Sequence, residues 1–364
     1  MTFTSIYQLP ALLLSGLTLV ISPLIALMKD QVDALTEKNI PATYVNSSLP
    51  LHEVNYRLRA VLENDVKLLY IAPELLRNQR FAQILARTKV SLLAVDEAHC
   101  ISQWGHDFRP DYLQIGPIWQ AMKDNPALLA TTATATPKVQ KNILEMLGTK
   151  KSKITVTGFN RPNLIFSVKH ISDVDTKLKA LRSIIESVDG SIIIYCSTRK
   201  NTEMVAKFIR NDIGLSAQAY HAGFSSDQRT QIQNNFMSDV SPIVVATNAF
   251  GMGVDKADVR AVIHYNMPGN VEAYYQEAGR AGRDGLPAQC VMFFAADDLR
   301  LHQFFIRSGS PSYEHLTKIY GSLKNADYDN EVHISARELE SRTGLHEVKI
   351  KVALSELEIM VTIL

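Results

Sequence analysis

A chain of 364 residues with 46% apolar content holds material for two to three domains with buried cores. Charged residues make up 21% and the formal net charge is +1, so bulk polyelectrolyte character is excluded and any nucleic-acid contact must come from local patches. Cys100, Cys196 and Cys290 lie more than ninety residues apart, which excludes a zinc knuckle or a disulfide framework and fits a reducing cytosol.

Leu9 to Leu27 is nearly all apolar and close to a membrane span in length. Pro10, Gly16, Ser22 and Pro23 interrupt it, Lys29-Asp30-Gln31 follow at once, and it lacks the basic lead and cleavage site of a signal peptide. The stretch reads instead as a helix end to Leu14, a turn at Ser15-Gly16, a buried strand and a second helix of a soluble protein.

Further along, short β-branched or Leu-rich runs alternate with longer amphipathic segments, the pattern of βαβ units around a parallel sheet. Strands are predicted at Thr18–Ser22, Ala42–Asn46, Lys67–Ala72, Ser91–Asp96 and Leu128–Thr131. A second series covers Ser191–Ser197, Ala217–Tyr220, Pro242–Thr247, Arg260–Tyr265 and Gln289–Phe294. Helical patterns include Leu24–Thr36, Pro137–Leu147, Val174–Val188, Lys200–Asp212 and Asp227–Phe236. The expectation is α/β: two doubly wound parallel-sheet domains in tandem, 1–157 and 158–307, joined near Thr155–Asn163. Ser308-Gly309-Ser310-Pro311 marks a boundary before a mostly helical segment, 308–364.

Asp96 and Glu97 end an apolar strand, where ligands of open α/β sheets bind. Asp96 there can hold Mg²⁺, often through water, and Glu97 can orient or deprotonate an attacking water. An acidic pair at a strand end also serves as a helix cap, but four apolar residues before it and Ala-His after it favour the site. Gln276, Arg280 and Arg283 stand at spacings of four and three, so one helix running from Val271 would present all three on one face. A guanidinium there is a natural partner for a γ-phosphate. The alternative is a solvated basic helix end, against which two glycines within five residues argue.

Gly251 and Gly253 follow a predicted strand and permit close backbone approach to a phosphate or sugar, although a plain tight turn fits them equally by themselves. Trp104, His106, Phe108 and Arg109 interleave stacking groups directly after the acidic box, as single-stranded nucleic acid requires. Core aromatics are the ordinary alternative, and Gly105, Asp107 and Arg109 deny them a continuous apolar face. Hydroxyls of Thr132-Ala133-Thr134-Ala135-Thr136 can relay hydrogen bonds from the site, while Thr136 before Pro137 also suits a helix cap.

With these runs in hand, the chain resembles the RecQ-type DNA helicases of superfamily 2. The matching stretches are Ser22 to Gln31, Asp96 to Tyr112, Phe159 to Leu164, Tyr220 to Gly223, Ala249 to Lys256 and Gln276 to Gly285, in the family's order. The resemblance implies two RecA-like lobes with ATP in the cleft between them. It implies single-stranded or partly duplex DNA across their faces, 3′→5′ movement, and a cytoplasmic role in recombination and repair. By match, Asp96 and Glu97 serve Mg²⁺ and water and Arg280 and Arg283 serve the phosphates, with Gln276, His99, Gly251, Gly253 and Asp255 at the nucleotide. Trp104 to Arg109 would couple DNA binding to hydrolysis, and Ser22, Lys29, Arg161, Ser197 and Thr198 are candidate contacts to the DNA backbone.

Two departures accompany the match. No G-x-x-x-x-G-K-[ST] phosphate loop occurs in the 364 residues. Met1 to Ser5 occupies its place, with Thr4 where the lysine belongs, so the expectation is a first lobe lacking its opening strand and loop, from a late-starting or damaged reading frame. Negligible ATP hydrolysis by this polypeptide follows, and an inactive single-stranded DNA-binding remnant is the alternative function. No cysteine follows Cys290, so the family's four-cysteine module is missing and no zinc is expected. Residues 313–364 instead carry a Ser335/Glu338 capping-box pair, a break at Gly344 and a helical run over Glu347–Leu357, the outline of a partial winged helix.

Overall fold

The computed structural model describes residues 5–105, 107–149, 152–158, 160–251, 254, 256–300, 303, 311–324, 327–328, 331–332, 334–345, 349–350, 352–354 and 356–357. Met1–Thr4, His106, Gly253 and Asp255 therefore lie outside it, as does part of the expected Glu347–Leu357 helix.

The first sheet has five parallel strands, β1 (Leu17–Ile21), β2 (Ala42–Val45), β3 (Leu68–Ile71), β4 (Val90–Val95) and β5 (Ala127–Ala130), in the order β2-β3-β1-β4-β5. Every residue of β1 and β3 is buried, as expected for strands covered on both faces. Alternate side chains feed two cores: Leu19, Ile21, Leu69, Leu93 and Val95 join one, while Val20, Leu68, Tyr70, Leu92 and Ala94 join the other. Helices α1 (Ser5–Leu13), α2 (Ile25–Thr36), α3 (Leu51–Leu62), α4 (Gln79–Leu85), α5 (Ile115–Ala121) and α6 (Pro137–Leu147) accompany this sheet. The apolar stretch from Leu9 to Leu27 is thus a helix end, a turn and a fully buried strand. Among the described residues no helix is long and apolar enough to cross a membrane.

The second sheet has six strands, β6 (Leu164–His170), β7 (Ser191–Tyr195), β8 (Ala217–Tyr220), β9 (Ile243–Ala246), β10 (Val259–His264) and β11 (Ala288–Phe294). Their order is β6-β11-β10-β7-β9-β8, with β7 to β10 mutually parallel where they pair. All ten predicted strands are present, and β6 is an addition. At the sheet's edge six of its seven residues are exposed, so it lacks the buried periodicity that reveals a strand. Helices α7 (Val174–Ser187), α8 (Arg199–Phe208), α9 (Ser226–Met237) and α10 (Val271–Ala278) belong with it. The helix expected over Lys200–Asp212 passes into a π-helical turn at Ile209–Ile213.

These are two parallel-sheet α/β domains of RecA-like architecture, followed by a largely helical segment. By compactness the chain divides into one unit of Met1–Ser167 with Leu181–Val291 and another of Val168–Ala180 with Met292–Leu364. Within the second unit, helices Tyr313–Lys324 and Ala336–Thr343 share a small core of Leu316, Ile319, Leu339, Ile350 and Ala353. A two-residue hairpin, Asp327–Tyr328 with Glu331–Val332, stands between them. Ser335 caps the second helix through Glu338 N, and Gly344 ends it at φ +69°.

Candidate nucleotide site and nucleic-acid interface

The carboxyl ends of β1, β4 and β5 are adjacent, because Asp96 N bonds Ile21 O and Thr131 N bonds Val95 O. That adjacency brings Ser22, Asp96 and Thr131 together. Ser22 Oγ donates to Asp96 Oδ2 at 3.5 Å, Thr131 Oγ1 to Oδ1 at 3.2 Å, and the Glu97 amide also to Oδ1 at 3.1 Å. Burial, and then the neighbouring Glu97, push the Asp96 carboxyl up to about 6 despite these donors.

Glu97 adopts the left-handed conformation at φ +48°, which costs a non-glycine residue about 1–2 kcal/mol. Its Oε2 lies 3.2 Å from His99 Nδ1, but that nitrogen's hydrogen bond is to Thr132 Oγ1 at 2.9 Å. Glu97 Oε2 is left buried with no hydrogen-bond partner among the described residues. A divalent cation fits this end of β4, since it would relieve both the raised carboxyl and the unpartnered oxygen.

Tyr112, the last residue of the matching stretch but not among the candidate site residues, donates to Asp96 O at 3.1 Å from sixteen residues away. Thr131 was visible as the last residue of a predicted strand, at the same edge as Asp96.

Beyond the acidic box the chain forms a half-exposed loop. Arg109 donates to Asp107 Oδ2 through Nε and Nη2 (3.2 and 3.0 Å) and to Pro23 O through Nη1 (3.3 Å). Trp104 is 61% exposed, with Lys138 Nζ 3.2 Å from its ring centroid, and Phe108 is half-buried. His99, Cys100 and Asp107 place donor atoms within 4.8 Å of one another. Arg109 already holds Asp107, and burial pushes the Cys100 thiol well up, so the trio is a hydrogen-bonded latch of the loop.

On the second sheet the arginines do not share a helix face with Gln276, as the spacing had suggested. Helix α10 ends at Ala278, leaving Gln276 half-buried on it and Arg280 and Arg283 in the following turn. Gly279 and Gly282 end the helical path, and Gly282 sits at φ +54°. Arg280 is buried; its Nη1 bonds Gly251 O, and its Nε has no partner among the described residues. A Cβ at Gly251 would lie 2.6 Å from Arg280 Nη2, so glycine is what lets this guanidinium close on the backbone. Arg283 is exposed and bonds Val254 O at 3.2 Å.

Arg161 donates to Gly279 O, Ala281 O and Gly282 O at 3.4, 3.0 and 2.9 Å, and Asn163 Nδ2 adds Gly282 O and Leu286 O at 2.8 and 2.9 Å. Of the remaining candidates, exposed Lys29 pairs with Asp33 at 2.8 Å. Ser197 N donates to Asn266 Oδ1 at 3.2 Å, and Thr198 caps α8. Asn266 was missed, although a polar residue just past an apolar strand is a visible signal. Tyr195 was hidden inside a strand; its hydroxyl donates to Phe250 O at 2.9 Å beside Arg280.

Tandem RecA-like sheets, one ending in an acidic box and the other leading into an arginine turn, are the architecture of nucleic-acid motor proteins. Family models agree: "DEAD/DEAH box helicase" matches residues 4–143 and "Helicase conserved C-terminal domain" matches residues 176–285. The chain is 44% identical over 322 residues to an ATP-dependent DNA helicase RecQ of Bacillus subtilis, covering 87% of this chain and 53% of that protein. It is 45% identical over 305 residues to that of Pasteurella multocida, covering 82% and 47%. A Mycobacterium smegmatis helicase, Lhr, solved with ssDNA and AMP-PNP, shares the fold at TM-score 0.62 and 20% identity, covering 93% of this chain and 48% of that one. The chain belongs to the RecQ family of helicases. It spans about half the length of these bacterial relatives.

Proposed function

We propose that the chain is the motor portion of an ATP- and Mg²⁺-dependent DNA helicase, moving 3′→5′ in cytoplasmic recombination and repair. The observation that carries this reading is the Asp96 carboxyl, buried among Ser22, Thr131 and Glu97 at a strand edge, beside an unpartnered Glu97 oxygen. Asp96 would hold Mg²⁺ through water, and the ion would neutralise phosphate charge. Glu97 orients the attacking water, and Arg280 and Arg283 meet the phosphates. Gln276, His99, Gly251, Gly253 and Asp255 complete the nucleotide surroundings.

The Trp104–Arg109 loop takes single-stranded DNA, with Ser22, Lys29, Ser197 and Thr198 along its backbone path. Arg161, whose guanidinium already serves three carbonyls, acts instead as a brace for the arginine turn. We assign 1–157 and 158–307 to the two RecA-like domains and 308–364 to a helical segment of partial winged-helix character, with no zinc.

Supporting a second reading, the 364 residues contain no G-x-x-x-x-G-K-[ST] segment. On that reading this polypeptide alone binds single strands without turnover, and DNA-stimulated ATP hydrolysis matching an intact helicase overturns it. The DNA face is tested by titrating a single-stranded oligonucleotide at several salt concentrations. Replacing Trp104 and Arg109 together by Ala should weaken binding about tenfold or more, from a stacking contribution of roughly 1–3 kcal/mol per base. Unchanged binding removes the loop from the interface.

A further inference from the structure

The aromatic loop is docked on one helix at two points. Ser102 Oγ donates to Asn142 Oδ1 at 2.8 Å, and the Lys138 ammonium sits 3.2 Å from the centre of the Trp104 ring. Lys138 and Asn142 are four residues apart on α6, so they share a face of that helix. The same Ser102 hydroxyl accepts from Trp104 N at 3.2 Å, which fixes the backbone carrying the indole.

The indole is 61% exposed, yet its face is where the ammonium rests. A cation over an exposed ring contributes about 0.5–1 kcal/mol. A base stacked on the face that the ammonium covers contributes roughly 1–3 kcal/mol. The two occupants exclude each other at contact distance. An exposed lysine displaced by a base also remains beside the nucleotide whose base displaced it, where a phosphate is its natural partner.

The geometry points to Lys138 as a latch on Trp104: it covers the ring without nucleic acid and passes to a backbone phosphate when a base takes its place. This rests on the reading of the Trp104–Arg109 loop as a single-strand interface. Lys138 is then a DNA-contact residue outside the aromatic run, and the run's readiness to stack is set by α6.

Helix α6 gives the latch a defined origin. Thr136 caps it, accepting from Val139 N. The segment leading into it starts at Thr131, on Asp96, and Thr132, on His99, so the latch is anchored to the strand edge bearing the acidic box.

Two measurements on the 364-residue chain test the latch. The first is quenching of Trp104 emission by acrylamide without DNA, with the emission of a Trp104→Phe variant subtracted to remove Trp119. Lys138→Ala should raise the quenching constant, and Lys138→Arg should keep it near the starting value, since a guanidinium also covers an aromatic face. Equal quenching in the Lys138→Ala and unaltered chains overturns the latch.

The second is the salt dependence of binding to oligo-thymidylate. Lys138→Ala should lower the slope of log affinity against log salt by about 0.7, the loss of one phosphate contact on a single strand. An unchanged slope overturns the transfer to phosphate. If Trp104→Ala leaves oligonucleotide binding unchanged while Lys138→Ala still alters quenching, the single-strand reading of the loop has failed and the contact itself has not.

Discussion

At the end of β4 the Asp96 carboxylate is held by groups that neighbouring strand ends bring with them, whereas the turn after α10 is braced by Arg161 from 118 or more residues away in sequence. The first arrangement follows from the sheet. Once β1, β4 and β5 pair in register, Ser22, Asp96 and Thr131 have to meet. The second follows from no element. Residues 279–283 leave the helix, and their carbonyls point at a guanidinium delivered by the segment before β6. The burden on charge differs as well. Asp96 is buried against its own ionisation, while Arg161 spends its charge on carbonyl oxygens, two of which, Gly279 O and Ala281 O, would otherwise lack donors.

Breaking the brace should have the largest effect. Arg161→Ala leaves Gly279 O and Ala281 O without a donor, and hydrogen bonds to a charged group contribute roughly 1.5–3 kcal/mol each, so a loss of about 3 kcal/mol or more is expected. Urea unfolding followed by circular dichroism measures it. Both tryptophans, Trp104 and Trp119, lie in the first-sheet half, so their emission reports that half separately. A dichroism transition that shifts alone sharpens the contrast between the two ends. Equal shifts in both signals mean that the halves unfold together, and no shift means that Arg161 is not a brace.

What was legible in the sequence follows the same division. Strand placement was read correctly for all ten predicted strands because short apolar runs leave a mark between turns, even where, as in β5, the strand is only partly buried. Edge strand β6 left none, with exposed Ile165, Phe166 and Val168 on it. At the site, Asp96 and Glu97 could be placed at a strand end because four apolar residues precede them. The arginine turn could not be placed, since the spacing of Gln276, Arg280 and Arg283 fits a continuous helix and two glycines mark an unusual helix as readily as the end of one. Arg161, Tyr195 and Lys138 act through partners that only the folded chain supplies.

A pH experiment probes the acidic end. The Asp96 carboxyl titrates at about 6 in the folded chain, against about 3.9 when unfolded. Between those values the unfolded chain releases its proton first, so stability falls as pH rises through the window. Below about pH 4 both states are protonated and nothing is lost; above about 6 both are ionised and the loss is complete. Asp96→Asn removes the ionisation, so the variant should be more stable than the unaltered chain at pH 8 by roughly 2–3 kcal/mol and show no such gain near pH 3. A stability difference that does not change with pH would mean that Asp96 is not held against ionisation, and the contrast with the arginine end would lose its electrostatic half.

The smallest effect belongs to a single hydroxyl at the arginine end. Tyr195 is buried, stacks on His264 with ring centroids 5.4 Å apart, and donates to Phe250 O, the residue before the glycine that receives Arg280. Tyr195→Phe keeps the ring packing and leaves that carbonyl without its donor, which should cost about 1 kcal/mol. The urea midpoint should fall while the slope stays constant, because the surface exposed on unfolding is unchanged. A changed slope would mean that the native loop has rearranged. An unchanged midpoint would mean that the loop at Phe250 is held by Arg280 alone, so that the arginine end depends on its guanidinium groups and not on the strand beneath them.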